Sequence, residues 1–200
     1  MKARAGLVLT GGGARAAYQV GVVKAVRDIL GNPVANPFPI LCGTSAGAIN
    51  ATTLAVFADN FSRGVGNLLE VWENMHCHHI YRTDVPSITR RGLRWLGALS
   101  WLSRQNPISL LDNAPLAEML GRTLAFERIQ DHIDSGALYA VSVTASGYTT
   151  GQSVSFFQGG SGLEGWERNQ RIGAAVMLKL DYLLASSALP FIFPAVKVHR

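Results

Sequence analysis

The sequence predicts an α/β fold built on a mostly parallel sheet covered by helices. Two short, continuous apolar runs, Ala5 to Thr10 and Phe38 to Cys42, read as buried parallel strands. Each ends in glycine-rich chain that passes into a segment with helical character, so the chain opens β-α-β-α. Its 200 residues suit one domain, residues 1–200, with 48% hydrophobic and 16% charged residues, which excludes a disordered chain.

The elements follow in order. Ala14 to Leu30 carries Tyr18, Val22, Ala25, Val26 and Ile29 at helical spacing, and Gly31, Pro33 and Pro37 stop that helix. Ala46 to Ala58 is a mostly apolar helix. Ser62 to Met75 is another, with Leu68, Leu69, Val71, Trp72 and Met75 on one side. His76 to Asn106 gives poor signals. Asp112-Asn113-Ala114-Pro115 starts a helix with a capping side chain and an early proline, and Phe126 to Ile133 is helical until Gly136. Ala137 to Ala145 and Ser153 to Gln158 read as strands across the turn-rich stretch Ser146 to Gly151. Asp181 to Ala188 is a final helix ended by Pro190, and a strand is expected near Phe191 to Val198.

The formal charge of +5 favours anionic partners such as phospholipid headgroups. No arginine-rich stripe or aromatic RNA-binding signature accompanies it, so nucleic acid is not expected. Cys42 and Cys77 give no disulfide framework. The apolar stretch after Lys2 and Arg4 is too short for a signal peptide, and nowhere do eighteen apolar residues run together. A reducing cytoplasmic setting is expected, with peripheral membrane contact through residues 90–104. There Arg90, Arg91, Arg94 and Arg104 accompany Leu93, Trp95, Leu96, Leu99, Trp101 and Leu102. Such a basic amphipathic segment can lie in a membrane interface or pack as a cap over a site.

Gly43-Thr44-Ser45-Ala46-Gly47 follows one predicted strand and opens a helix, the setting of a nucleophile elbow. A serine on so cramped a turn needs glycines two residues before and after it, because a Cβ there would block the neighbouring backbone. Ser45 is therefore the candidate nucleophile, with Gly43 and Gly47 shaping its turn. Gly11, Gly12, Gly13, Ala14 and Arg15 make a second strand-to-helix turn. Consecutive backbone N–H groups at a helix start suit the oxyanion of an acyl-transfer intermediate. Gly11-x-Gly13-x-x-Ala16 also fits a dinucleotide fingerprint, but that needs an acidic residue about twenty positions on. No Asp or Glu lies between Asp28 and Asp59, so no nucleotide cofactor is expected.

With Ala185-Ser186-Ser187-Ala188-Leu189-Pro190 added, the chain resembles the patatin-like phospholipase family. The glycine loop, the elbow and an Ala-Ser-x-Ala-x-Pro segment occur in the family's order across nearly the whole chain. The resemblance implies helices on both faces of the sheet and an acyl-ester hydrolase acting on phospholipids and related lipids. It also implies a Ser–Asp dyad with Ser45 as nucleophile and Gly11 to Arg15 as oxyanion loop. Two departures stand out. Ala16 replaces the usual glycine after the loop's basic residue, and no Asp-Gly pair, where the dyad aspartate normally sits, occurs in the sequence.

Among Asp28, Asp59, Asp84, Asp112, Asp131, Asp134 and Asp181, none sits in the expected loop; Asp112 and Asp181 have the positions of helix-end residues. His199 follows the last expected strand, where an imidazole could act as base but an exposed strand-end histidine is the plainer reading. The expectation is a chain incomplete at its C-terminus, with the aspartate beyond Arg200. Two alternatives stay open: a catalytically silent lipid- or partner-binding module, and a Ser–His–Asp hydrolase whose partners follow residue 200. His76-Cys77-His78-His79 is poorly spaced for one tetrahedral ion, and no metal is expected.

Overall fold

The computed structural model describes residues 4–81, 109 and 111–198. Strand β1 (Gly6–Leu9) leads through a 3₁₀ turn, Gly13–Arg15, into α1 (Ala16–Ile29). Then come β2 (Ile40–Thr44), α2 (Ala46–Val56), α3 (Phe61–Glu73) and the short α4 (Cys77–Ile80). Further on lie α5 (Ala114–Thr123), α6 (Glu127–Asp134), β3 (Ala140–Ser146) and β4 (Ser153–Gly159). β5 (Trp166–Arg168), β6 (Arg171–Ala175) and α7 (Leu180–Ser187) complete the described elements.

The strands form one six-stranded sheet in the order β1-β2-β3-β4-β6-β5. β1, β2 and β3 run parallel, β4 opposes β3, β6 is parallel to β4, and β5 opposes β6. The sheet is thus mostly parallel with helices packed on it, as the opening β-α-β-α pattern predicts. Register sets the core. Leu7, Leu41 and Val141 form one row across β1, β2 and β3, and Leu9, Gly43 and Val143 the next. Leu54 and Val56 of α2, Ile129 of α6 and Leu183 of α7 belong to the same core as these rows, all nearly or wholly buried. α2 packs across β1, β2 and β3, and α1 and α3 pack against α2 and against each other. The carboxyl ends of β1 and β2 then deliver the glycine loop and Ser45 to the same edge of the sheet.

Local chemistry explains the boundaries. Asn60 caps α3, its side chain accepting from Arg63 N at 3.0 Å, and Asp112 Oδ1 accepts from Ala114 N at 3.0 Å at the start of α5. The second strand begins two residues later than the apolar run suggests. Pro39 has no N–H to give a ladder, and its carbonyl instead accepts from Tyr139 N and Ala140 N. α1 begins at Ala16 because the chain first tightens into the 3₁₀ turn.

The strand expected near Phe191 to Val198 does not form. Ile192 N and Phe193 N both turn back to Leu189 O, at 3.1 and 3.0 Å, and Phe191 has φ +66°. Pro194 removes another ladder donor. β5 and β6 carry weak sequence signals: β5 has three exposed residues, and β6 is Arg-Ile-Gly-Ala-Ala. Residues 90–104, Asp84 and His199 lie outside the described residues. No helix among those described is long and apolar enough to cross a membrane.

Candidate active site

Ser45 sits between the end of β2 and the start of α2 with φ +53° and ψ −125°, a backbone region that L-residues rarely occupy. Such strain costs about 1–3 kcal/mol and persists only where the surroundings hold it. They hold it tightly. A Cβ at Gly43 would overlap Ala48 Cα, with Gly47 O 2.5 Å away. One at Gly47 would overlap the Leu9 carbonyl oxygen and lie 2.5 Å from Thr10 O. Both flanking positions therefore require glycine on packing grounds: α2 is pressed directly onto the ends of β1 and β2.

The same closeness brings the glycine loop to Ser45. A Cβ at Gly11 would stand 3.3 Å from Ser45 Cβ and 3.5 Å from Thr44 O. Gly13 has φ +54°, a conformation glycine adopts freely, and it turns the loop into α1. Two helix starts meet here. Ala48 N and Ile49 N both donate to Ser45 O, at 2.9 and 3.3 Å, while Arg15 N donates to Gly12 O at 3.1 Å. The amides of Ala46 and Gly47, and those of Gly13 and Ala14, precede these bonds and have no intrahelical acceptor. Together with the partial positive charge of helix N-termini, they make this edge favourable for an anion.

A buried network ties the two turns together. Asn50, 1% exposed on α2, donates from Nδ2 to Ala16 O at 3.2 Å and to Gln19 Oε1 at 3.3 Å. Its Oδ1 accepts from Trp72 Nε1 at 2.8 Å. Gln19 in turn donates to Thr10 O at 2.7 Å. Both ends of the loop, Thr10 and Ala16, are thereby fastened to the helix that begins at Ser45. On the other side, Ser45 N donates to Ser186 Oγ at 2.7 Å, and Ser186 Oγ donates to Thr144 O at 2.6 Å. Just beyond α7, Tyr148 Oη donates to Ala188 O, and burial raises the tyrosine's pKa.

The family model for patatin-like phospholipases matches residues 7–199. The chain belongs to that family. The chain is also similar to a cGAMP-activated phospholipase of Pseudomonas aeruginosa, 29% identical over 97% of this chain and 49% of the relative. A cUMP-AMP-activated phospholipase of Escherichia coli is 44% identical over 25% of this chain and 16% of that protein. The chain thus spans about half the length of the first relative. No solved structure matches it.

Of the residues singled out in the sequence, the structure sets Gly11 against Ser45 and Gly47 against Leu9 and Thr10, where the Gly11–Arg15 loop begins. Among the described residues no carboxylate or imidazole hydrogen-bonds to Ser45. Asp28 is held by Lys24 and Arg27, and Asp59 by Arg128 with His132 at 3.4 Å. Asp134 accepts from Gln130, and Asp112 accepts from Ala114 N at the start of α5. No group of three or more His, Cys, Asp and Glu side chains among the described residues is placed to hold a metal ion. Sequence reasoning overlooked Asn50, Gln19 and Trp72. The one available signal was a lone asparagine within the apolar run of α2.

Proposed function

We propose that this protein hydrolyses acyl esters of phospholipids and related lipids with Ser45 as nucleophile. The observation that carries the reading is the Ser45 elbow itself, strained, glycine-flanked and set against the glycine loop, within a patatin-like phospholipase domain. Ser45 Oγ attacks the ester carbonyl carbon as its proton passes to a base. Amides of the Gly11–Arg15 loop, with Ala46, stabilise the tetrahedral oxyanion. The ester C–O bond then breaks, the alcohol leaves with a proton, and water frees the fatty acid from Ser45. Losing one oxyanion donor typically costs about 10²–10³ in turnover. The base is an aspartate outside the described residues, completing a Ser–Asp dyad; each aspartate with a described partner is already engaged elsewhere.

The relatives' names add a regulatory element: hydrolysis is switched on by a cyclic dinucleotide. The test is fluorophosphonate labelling and fatty-acid release from phospholipid vesicles by the full-length protein, with and without cGAMP or cUMP-AMP. Labelling and release that both vanish in Ser45→Ala are the expected result. Undiminished labelling of Ser45→Ala would refute the nucleophile. A wild-type protein that binds vesicles yet neither labels nor releases fatty acid under either condition favours a binding module.

A further inference from the structure

The hydroxyl of Ser186 makes two short bonds, and both bear on Ser45. It accepts from the Ser45 backbone N–H at 2.7 Å and donates to Thr144 O at 2.6 Å. Thr144 lies directly opposite Thr44 in the β2–β3 register, so Ser186 bridges the residue just before the elbow's serine, through its strand neighbour, to the serine itself. A hydroxyl that gives its proton to a carbonyl has a lone pair fixed toward the amide. Ser45 needs such a brace because its φ of +53° is held against the preference of an L-residue.

We propose that Ser186 is a positioning residue for the Ser45 nucleophile, acting through the Ser45 amide. This rests on the reading of Ser45 as nucleophile and assigns a role that the residue's place in a helix does not by itself suggest. Two consequences follow. Because the Ser45 N–H is already committed to Ser186, it does not serve the oxyanion, and that work falls to Ala46 and the glycine loop. With a lone pair engaged by the Ser45 N–H and its proton on a carbonyl that cannot act as a base, the Ser186 hydroxyl also does not compete with Ser45.

The test uses the full-length protein with a fluorophosphonate probe and a short-chain, monomeric p-nitrophenyl ester. Ser186→Ala removes both bonds and places the best helix former at a helical position, so folding is retained. The expected result is a fall in kcat and in labelling rate of about ten- to a hundredfold, from one unpaired amide and a loosened nucleophile. KM changes less than about twofold, since uniform binding is untouched. Ser186→Thr, which keeps the hydroxyl, recovers most of the loss, and Ser186→Cys falls between. Wild-type kcat in Ser186→Ala overturns the inference, as does a loss confined to KM or an equal loss in Ser186→Thr. A Ser45→Ala control that labels and turns over like wild type overturns the nucleophile reading and this inference together. A dead Ser45→Ala beside an unaffected Ser186→Ala overturns this inference alone.

Discussion

Gly47→Ala is the sharpest probe of how the site is built. The added Cβ would overlap Leu9 O and stand 2.5 Å from Thr10 O, and both obstacles are backbone. Ordinary C···O contacts are about 3.3–3.6 Å, so the helix and the strand end must part by roughly 1 Å. The strand end resists: Leu9 is in register with Gly43, and Thr10 O is held by Gln19. Overpacking of this kind costs about 1–3 kcal/mol, and two rigid obstacles place Gly47 at the upper end. The helix-propensity gain of alanine over glycine, about 0.5–1 kcal/mol, offsets part of it. A net loss of about 2 kcal/mol lowers Tm by about 4–8 °C in a chain of this size. A 1 Å displacement between loop and elbow also costs about a hundredfold in reaction with a fluorophosphonate. Gly21→Ala and Gly66→Ala are the controls, since a Cβ at either meets nothing within 4 Å, and both should hold or raise Tm. A Gly47→Ala protein with wild-type Tm and labelling rate would refute the packing argument.

Two other perturbations test the supporting structure. Asn50→Leu strands the Trp72 indole N–H, Ala16 O and Gln19 Oε1, and should destabilise by about 1–3 kcal/mol in denaturant titration. Gln19→Met, at a half-buried position, loses the tie to Thr10 O and one of the two acceptors of Asn50 Nδ2, the other being Ala16 O; it should destabilise by about 0.5–1.5 kcal/mol and slow labelling. At Asp28, hydrogen bonds first from Lys24 and then from Arg27 hold the carboxyl below its ordinary 3.8. A depressed carboxylate pKa contributes stability above the unfolded value and loses it as pH falls through the folded one. Carboxyl NMR should therefore find Asp28 titrating below ordinary aspartates, and Lys24→Met should move it upward.

The elbow was legible in sequence because its chemistry is local. A strand, a serine between two glycines and a helix start are consecutive in the chain, and Gly43 meets the backbone of Gly47 and Ala48 within the same turn, although what requires Gly47 is the distant carbonyls of Leu9 and Thr10. The parallel opening of the sheet was legible for the same reason. What joins distant segments was not. Ser186 meets Ser45 across 141 positions and Asn50 meets Ala16 across 34, so no spacing announces either pair. The run from Phe191 to Val198 has strand-like composition, but turn bonds to Leu189 and the proline at 194 decide its path. Propensity lost to tertiary context there.

The division of labour at Ser45 follows from these contacts. The described residues supply position and positive potential: strain held by packing, two helix starts, and a loop fastened at both ends by Gln19 and Asn50. They supply no proton acceptor at Ser45. An oxyanion site and substrate binding can retain about 10³–10⁴ of rate over water in serine hydrolases stripped of their triad. A base adds its share only when it lies within hydrogen-bond reach of the hydroxyl. Under the proposed function, positioning and proton transfer would therefore be separable: the elbow and loop form one contiguous packing unit, and the base would join them from outside the described residues. A ligand that moved the base alone would switch hydrolysis without disturbing Ser45.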